Sequence, residues 1–341
     1  MGKVLSFGEL LLRISPDVDG TWLHNNKLPF YIGGAECNVA TALALWGIPT
    51  AYLTALPANF LSDQVVDYLQ EKNIATDKII YGGERIGLYY LHQGKDLKSA
   101  GVIYDRQHSA YANLKPGTIN WDDIFAGVSW FHFSAICPAI NQQVADVCAE
   151  ALKIAAEKNI FVSLDLNYRA KLWQYGKDPG AVMPVLAQYC NLIMGNIWAA
   201  DKMLGISLDA VLIANRDKES LLQQAAATST AIQQQFPRCE TVANTFRFDQ
   251  GQGIKYYTTL YHQGELICSP EYHSDTIVDK IGSGDCFMAG LIYGFYQKMA
   301  PAETLEFATA AAFQKLFIQS DATTSTVTDI QNTITTYAHA H

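Results

Sequence analysis

The sequence predicts an α/β fold with a mostly parallel central sheet, helices on both faces and a small β-sheet lid standing off it. Three observations carry this. Short β-rich runs recur at 4–7, 51–53, 130–133, 161–164, 192–194 and 241–243. Helical patterns lie between and after them, at 37–46, 142–158 and 305–317. Strands alternating with helices of this length argue for βαβ units. Finally, 10–32 and 86–105 alternate like strands with no helix between, which breaks the rhythm.

Taken in order, residues 3–8 read as a buried first strand. Met1, Gly2 and Ser6 also fit the formal N-myristoylation pattern. A buried first strand draws this end into the fold and argues against lipidation. The runs 86–92 and 101–105 read as antiparallel strands joined by a polar turn through 94–101. In 142–158, Val144, Val147, Cys148, Ala151, Leu152, Ile154 and Ala155 fall on one stripe at helical spacing. Residues 161–164 are apolar with little alternation, as in a strand covered on both faces. The tract 223–235, rich in Ala, Gln, Thr and Ser, reads as a surface helix. The expected organisation is one large α/β domain over 1–341, with the lid inserted as roughly 10–35 and 85–112.

The balance of 24 Lys+Arg against 33 Asp+Glu gives a net charge of −9. That argues against a protein whose affinity comes from neutralising nucleic-acid phosphates. It leaves room for one anionic ligand in a local positive pocket. No apolar run is long enough to span a membrane. The seven Cys are scattered and never spaced C-x-x-C, so neither a disulfide framework nor a zinc knuckle is expected. A reducing, cytoplasmic setting follows as the expectation.

The most informative segment is VDKIGSGDCFMAGL at 278–291. Gly282, Ser283 and Gly284 form a small-residue loop that runs straight into a helical pattern. Such a loop lets backbone approach a ligand, and the first helical N–H groups then face an anion. No Walker A motif occurs in the chain. Asp285 falls in the first turn. Capping or dipole compensation is the ordinary use of Asp there. Beside a phosphate cradle, the same carboxylate can instead take a proton from an attacking hydroxyl.

The stretch Asp279 to Phe287 resembles the C-terminal signature of the ribokinase-like (PfkB) carbohydrate kinases, D-T-T-G-A-G-D-x-F. Residues 33–40, GGAECNVA, resemble that family's first signature. The likeness runs from about Val4 to about Phe317. It implies a three-layer α/β/α fold, ATP and Mg²⁺ as cofactors, Asp285 as catalytic base and Gly282–Ser283–Gly284 as anion hole. Within the family the likeness is to 2-keto-3-deoxygluconate kinases, through 8–16, 33–36, 85–90, 102–106 and 165–169. Gly34, Asn38, Tyr89, Tyr104, Arg106 and Arg169 then fall on sugar-acid contacts. The chemistry agrees, since Arg binds a carboxylate with a planar fork and Tyr offers a flat face with a hydroxyl. The implied reaction is phosphorylation of the terminal 6-hydroxyl of a sugar acid. The alternatives are a kinase for a neutral sugar or nucleoside, or a sugar-binding relative with weak catalysis.

The chain departs from the family pattern at its nucleotide end. Asn196 keeps the Asn of the family's N-x-x-E element, but Ala199 stands where its Glu organises Mg²⁺. Arg247 and Gly253 are the expected nucleotide contacts in place of a G-x-x-G turn. Asp279 matches an aspartate tied to a monovalent-cation site, so K⁺ joins the expected ligands. The resemblance also implies a homo-oligomer formed through the lid, with no nucleic-acid or membrane partner.

Overall fold

The computed structural model describes residues 2–16, 22, 28–91 and 101–338. Most of the turn expected through 94–101 and part of the first lid segment lie outside the described residues, as does Met1.

The central sheet begins with Lys3–Phe7. Thr50–Leu53 and then Ile74–Ala75 lie to one side of it. To the other side lie Val128–Ser134, Phe161–Asp165, Leu192–Gly195 and Thr241–Gln250. All these strands are parallel. Beyond Thr241–Gln250 the sheet becomes antiparallel. Gly253–His262 pairs with it, and Glu265–Cys268 and Tyr272–Ser274 pair with Gly253–His262.

The period of two explains why this sheet is buried on both faces. Val4, Trp130, Leu192 and Ala243 enter one core, against helices Ala35–Leu45, Ser283–Tyr296 and Pro301–Lys315. Their neighbours Leu5, Phe131, Ile193 and Val242 enter the other, against helix Gln142–Glu157 and its companions. Helix starts follow local chemistry: Asn59, Asn141, Asp178 and Asp217 accept first-turn N–H bonds with their side chains. The tract 223–235 lies in helix Lys218–Gln235.

A separate four-stranded sheet forms from the two segments that break the βα rhythm. Its order is Phe30–Gly33, Leu11–Ile14, Gly87–Tyr90 and Ile103–Asp105. Leu11–Ile14 and Gly87–Tyr90 run parallel, while both outer strands are antiparallel to their neighbours. Early strands are added on one side of Lys3–Phe7 and later ones on the other, so strand order reverses between Lys3–Phe7 and Val128–Ser134. Open α/β sheets bind ligands beyond the carboxyl ends of their strands at such a point.

Candidate active site

A cavity of about 600 Å³ opens at the carboxyl ends of the central strands. One wall comes from the small sheet, through Leu11, Tyr89 and Tyr104. The other comes from the loop and helix that follow Asp279. Gly34, Asn38, Tyr89, Tyr104, Arg106, Arg169, Asn196, Arg247, Gly282, Ser283, Gly284 and Asp285 all line it.

Two glycines make the close approaches. Gly34 has φ 121° and precedes helix Ala35–Leu45; a Cβ there would sit 2.4 Å from the Glu9 carbonyl oxygen. Gly282 has φ 75° and precedes helix Ser283–Tyr296; a Cβ there would sit 1.8 Å from the Asp321 carbonyl oxygen. Both helices point their N-termini at the cavity. The first-turn N–H groups of Ser283–Tyr296 have no intrahelical acceptor, so this end suits a phosphoryl group.

Asp285 sits in the first turn of that helix, 8% exposed. Asn38 Nδ2 donates to its Oδ2 at 2.7 Å. Burial pushes the Asp285 carboxyl up to about 7. The Asn38 hydrogen bond and Arg169 oppose the rise, while the carboxylates of Asp165 and Glu36 add to it. Asp165, at the end of its strand, is itself pushed up to about 6 by burial, against the hydrogen bond from Asn167 N–H. Glu36 is buried and raised for the same reason, although Ser134 N–H donates to it at 3.0 Å.

Four buried polar atoms from cavity-lining residues lack a hydrogen-bond partner, and two of them, Arg106 Nη2 and Asp321 Oδ1, are held in ion pairs with Glu9 and Arg13. Of the other two, Asn38 Oδ1 is a buried acceptor and Arg169 Nε a buried donor. Buried polar groups are rarely left so without a function. Arg106 is engaged differently: its Nε donates to Glu9 Oε2 at 2.7 Å, and Ser109 donates to the other Glu9 oxygen at 2.5 Å. The Tyr89 hydroxyl donates to Asp321 at 2.5 Å, so its ring rather than its hydroxyl is offered to the cavity. Tyr104 is raised by burial, with Arg169 and Arg106 close enough to oppose the shift.

Elsewhere along the cavity, Arg247 Nη1 donates to Ser283 Oγ at 3.3 Å, joining the antiparallel arm to the Gly282–Gly284 loop. Asn196 Oδ1 caps helix Ile197–Leu204 by accepting from Ala199 N–H at 2.8 Å. Two of the expected residues stand apart from the cavity lining. Gly253 is not among the cavity-lining residues. It begins strand Gly253–His262, where a Cβ would meet the Ser274 carbonyl oxygen at 2.1 Å, so packing accounts for its missing side chain. Asp279 does not line it either, and its carboxylate is engaged within the protein: Arg13 and the Ile281 N–H take its two oxygens at 3.0 Å each.

A profile of the pfkB family carbohydrate kinases matches residues 1–328. The chain belongs to the PfkB family of carbohydrate kinases. This kinase is 27% identical over 332 residues to a 2-dehydro-3-deoxygalactonokinase from Haloferax volcanii, covering 97% of this chain and 96% of that one. It superposes on the crystal structure of a 2-dehydro-3-deoxygluconokinase from Thermotoga maritima with a TM-score of 0.89 and 32% identity. That match covers 98% of this chain and all of the other. A PfkB family carbohydrate kinase from Listeria grayi gives a TM-score of 0.85 at 29% identity, covering 98% and 99% of the two chains.

This PfkB kinase also brings residues to its cavity to which the sequence assigned no role: Glu9, Glu36, Asp165, Trp198 and Asp321. Glu9, Glu36 and Asp165 stand within segments that carry the family likeness, so their position was legible though their part was not. Asp321 sits in no motif; only folding delivers it. Among the described residues, no group of three or more Asp, Glu, His or Cys is placed to hold a metal ion.

Proposed function

We propose that this PfkB kinase transfers the γ-phosphoryl group of ATP to the terminal 6-hydroxyl of a 2-keto-3-deoxy sugar acid, most simply 2-keto-3-deoxygluconate. The observation that carries the reading is the pair of unpartnered groups on Asn38 and Arg169, flanking a carboxyl held near neutrality. A hydroxyl beside Asp285 can donate to Asn38 Oδ1. Arg169 Nε can donate to a carboxylate or keto oxygen. The names of the two relatives above point to the same substrate class, and those two acids differ only in configuration at C4.

In this reading Asp285 accepts the proton of the 6-hydroxyl as its oxygen attacks the γ-phosphorus. The bond from γ-phosphorus to the bridging oxygen breaks and ADP leaves. Backbone N–H groups at Ser283 and Gly284 stabilise the charge on the transferred group. Mg²⁺ would supply positive charge against the nucleotide phosphates. Asp165, at the end of its strand, and Asn196, just after the adjacent one, are the residues that would hold it; Ala199 contributes no ligand. The small sheet acts as a lid that excludes water as a competing acceptor. Its edge strands expose Phe30 and Ile103, 58% and 63% accessible, which suits the homo-oligomer expected through it.

The test is an ADP-release assay over 2-keto-3-deoxygluconate, its C4 epimer, fructose and ribose, with and without Mg²⁺. The reading expects the acids to show the highest kcat/KM. Equal or faster turnover of fructose would overturn the acid assignment, and no ADP release with any acceptor would overturn the kinase reading of this chain.

A further inference from the structure

Beneath the anion loop lies a buried charge cluster whose cations both come from the chain. Arg13, on the small-sheet strand Leu11–Ile14, is 1% exposed. Its Nη2 lies 3.0 Å from Asp279 Oδ2 and its Nε 2.7 Å from Asp321 Oδ1. The guanidinium also stacks 4.3 Å above the Tyr31 ring. The remaining oxygens are taken as well: Asp279 Oδ1 accepts from Ile281 N–H and Asp321 Oδ2 from Tyr89. Lys315, fully buried, donates to the Ile318 carbonyl at 3.0 Å, and its charge interacts with Asp279 and Asp321. Its Cε lies 3.4 Å from where a Cβ on Gly282 would stand, directly below the loop.

The family resemblance brings a monovalent cation to Asp279. The donor set does not fit one. All four carboxylate oxygens already face a protein donor, and two buried carboxylates are balanced by one guanidinium and one ammonium. A further cation would enter with its charge uncompensated, at a large cost in a buried setting. We propose that Arg13 and Lys315 stand in for the monovalent cation, so that tethered charges support the anion loop and turnover is independent of K⁺. Because Arg13 belongs to the small sheet, the same ion pairs fasten that sheet to the loop carrying Gly282 and Asp285.

The activity arm rests on the kinase reading; the stability arm does not. The full chain is assayed in KCl, NaCl and tetramethylammonium chloride at matched ionic strength, which holds screening constant. Thermal unfolding is followed in the same salts. For the wild type, kcat/KM should agree within about twofold across the salts, and K⁺ should not raise Tm above Na⁺ or tetramethylammonium. Activation by K⁺ of about tenfold or more, or a Tm gain specific to K⁺, would overturn the proposal. Lys315→Met removes the ammonium while keeping an unbranched apolar stem of the same length up to Cε. It should lower activity and gain a K⁺-specific rise in Tm and rate, because two carboxylates then face one cation. A folded Lys315→Met enzyme with neither response speaks against the substitution of charge. Should that variant not fold, Arg13→Gln is read in the same way, and the wild-type salt series decides by itself. If no sugar is phosphorylated, the kinase reading fails while the Tm series still tests the cluster.

Discussion

Asn38 and Asp285 meet across 247 positions of sequence, Nδ2 to Oδ2 at 2.7 Å. Each stands in the early turns of its own helix, and each helix is introduced by a glycine with positive φ. The bond fixes the Asp285 carboxylate at the mouth of the anion loop. It also uses up the donor end of Asn38, leaving Oδ1 toward a ligand. Asp285→Asn keeps the shape and removes the base. It should lower kcat by roughly 10²–10⁴-fold with little change in sugar KM. Steady-state kinetics at saturating ATP check this; near wild-type turnover would remove Asp285 as the base.

The raised carboxyls set the pH dependence. As a base, Asp285 must be ionised, so kcat/KM should climb through an acidic limb near pH 7, with Asp165 ionising about a unit below. Removing the bond that opposes the rise, in Asn38→Ala, should move that limb to higher pH. Stability runs the other way. A folded value of about 7 against an ordinary 3.8 means the folded state holds the proton more tightly. That contribution is present below the ordinary value and is lost as pH rises through about 7. Chemical denaturation across this window should show a weaker pH dependence for Asp285→Asn than for the wild type.

Arg169 and Arg106 should behave differently when truncated. Arg169 is half-buried and has an unpartnered Nε. Arg169→Ala should raise KM for sugar acids far more than for fructose, with Tm nearly unchanged. Arg106 is buried against Glu9, so Arg106→Ala strands a carboxylate. Losing one partner of a buried pair costs about 3–5 kcal/mol of folding stability. Denaturant titration beside the substrate panel separates the two effects. Equal losses on acid and neutral acceptors in Arg169→Ala would remove the carboxylate role.

Gly282→Ala tests the loop geometry. Its φ of 75° disfavours any L-side chain, and the added methyl would collide with the Asp321 backbone. The loop can only shift, which displaces both the N–H groups and Asp285. Turnover should fall by at least about 10²-fold, as expected when oxyanion-type donors are lost, and Tm should drop. Wild-type kinetics in this variant would mean that the loop does not hold the transferred group.

The sequence by itself determined the parallel sheet, the small sheet and the glycine loop before helix Ser283–Tyr296, because each rests on local signals. These are period-two and period-3.6 patterning, capping residues and glycines beside a helix start. Two signatures at opposite ends of the chain also identified the family. It does not separate a glycine that admits a neighbouring strand, as Gly253 does, from one that admits a phosphate. Only the tertiary structure decided how the charges are shared. It tied Arg106 to Glu9, left Arg169 Nε and Asn38 Oδ1 unpartnered, and set Arg13 and Lys315 beside the Asp279 and Asp321 carboxylates. The physical reason is that burial and Coulomb interaction depend on distances between residues hundreds of positions apart, which no local pattern encodes.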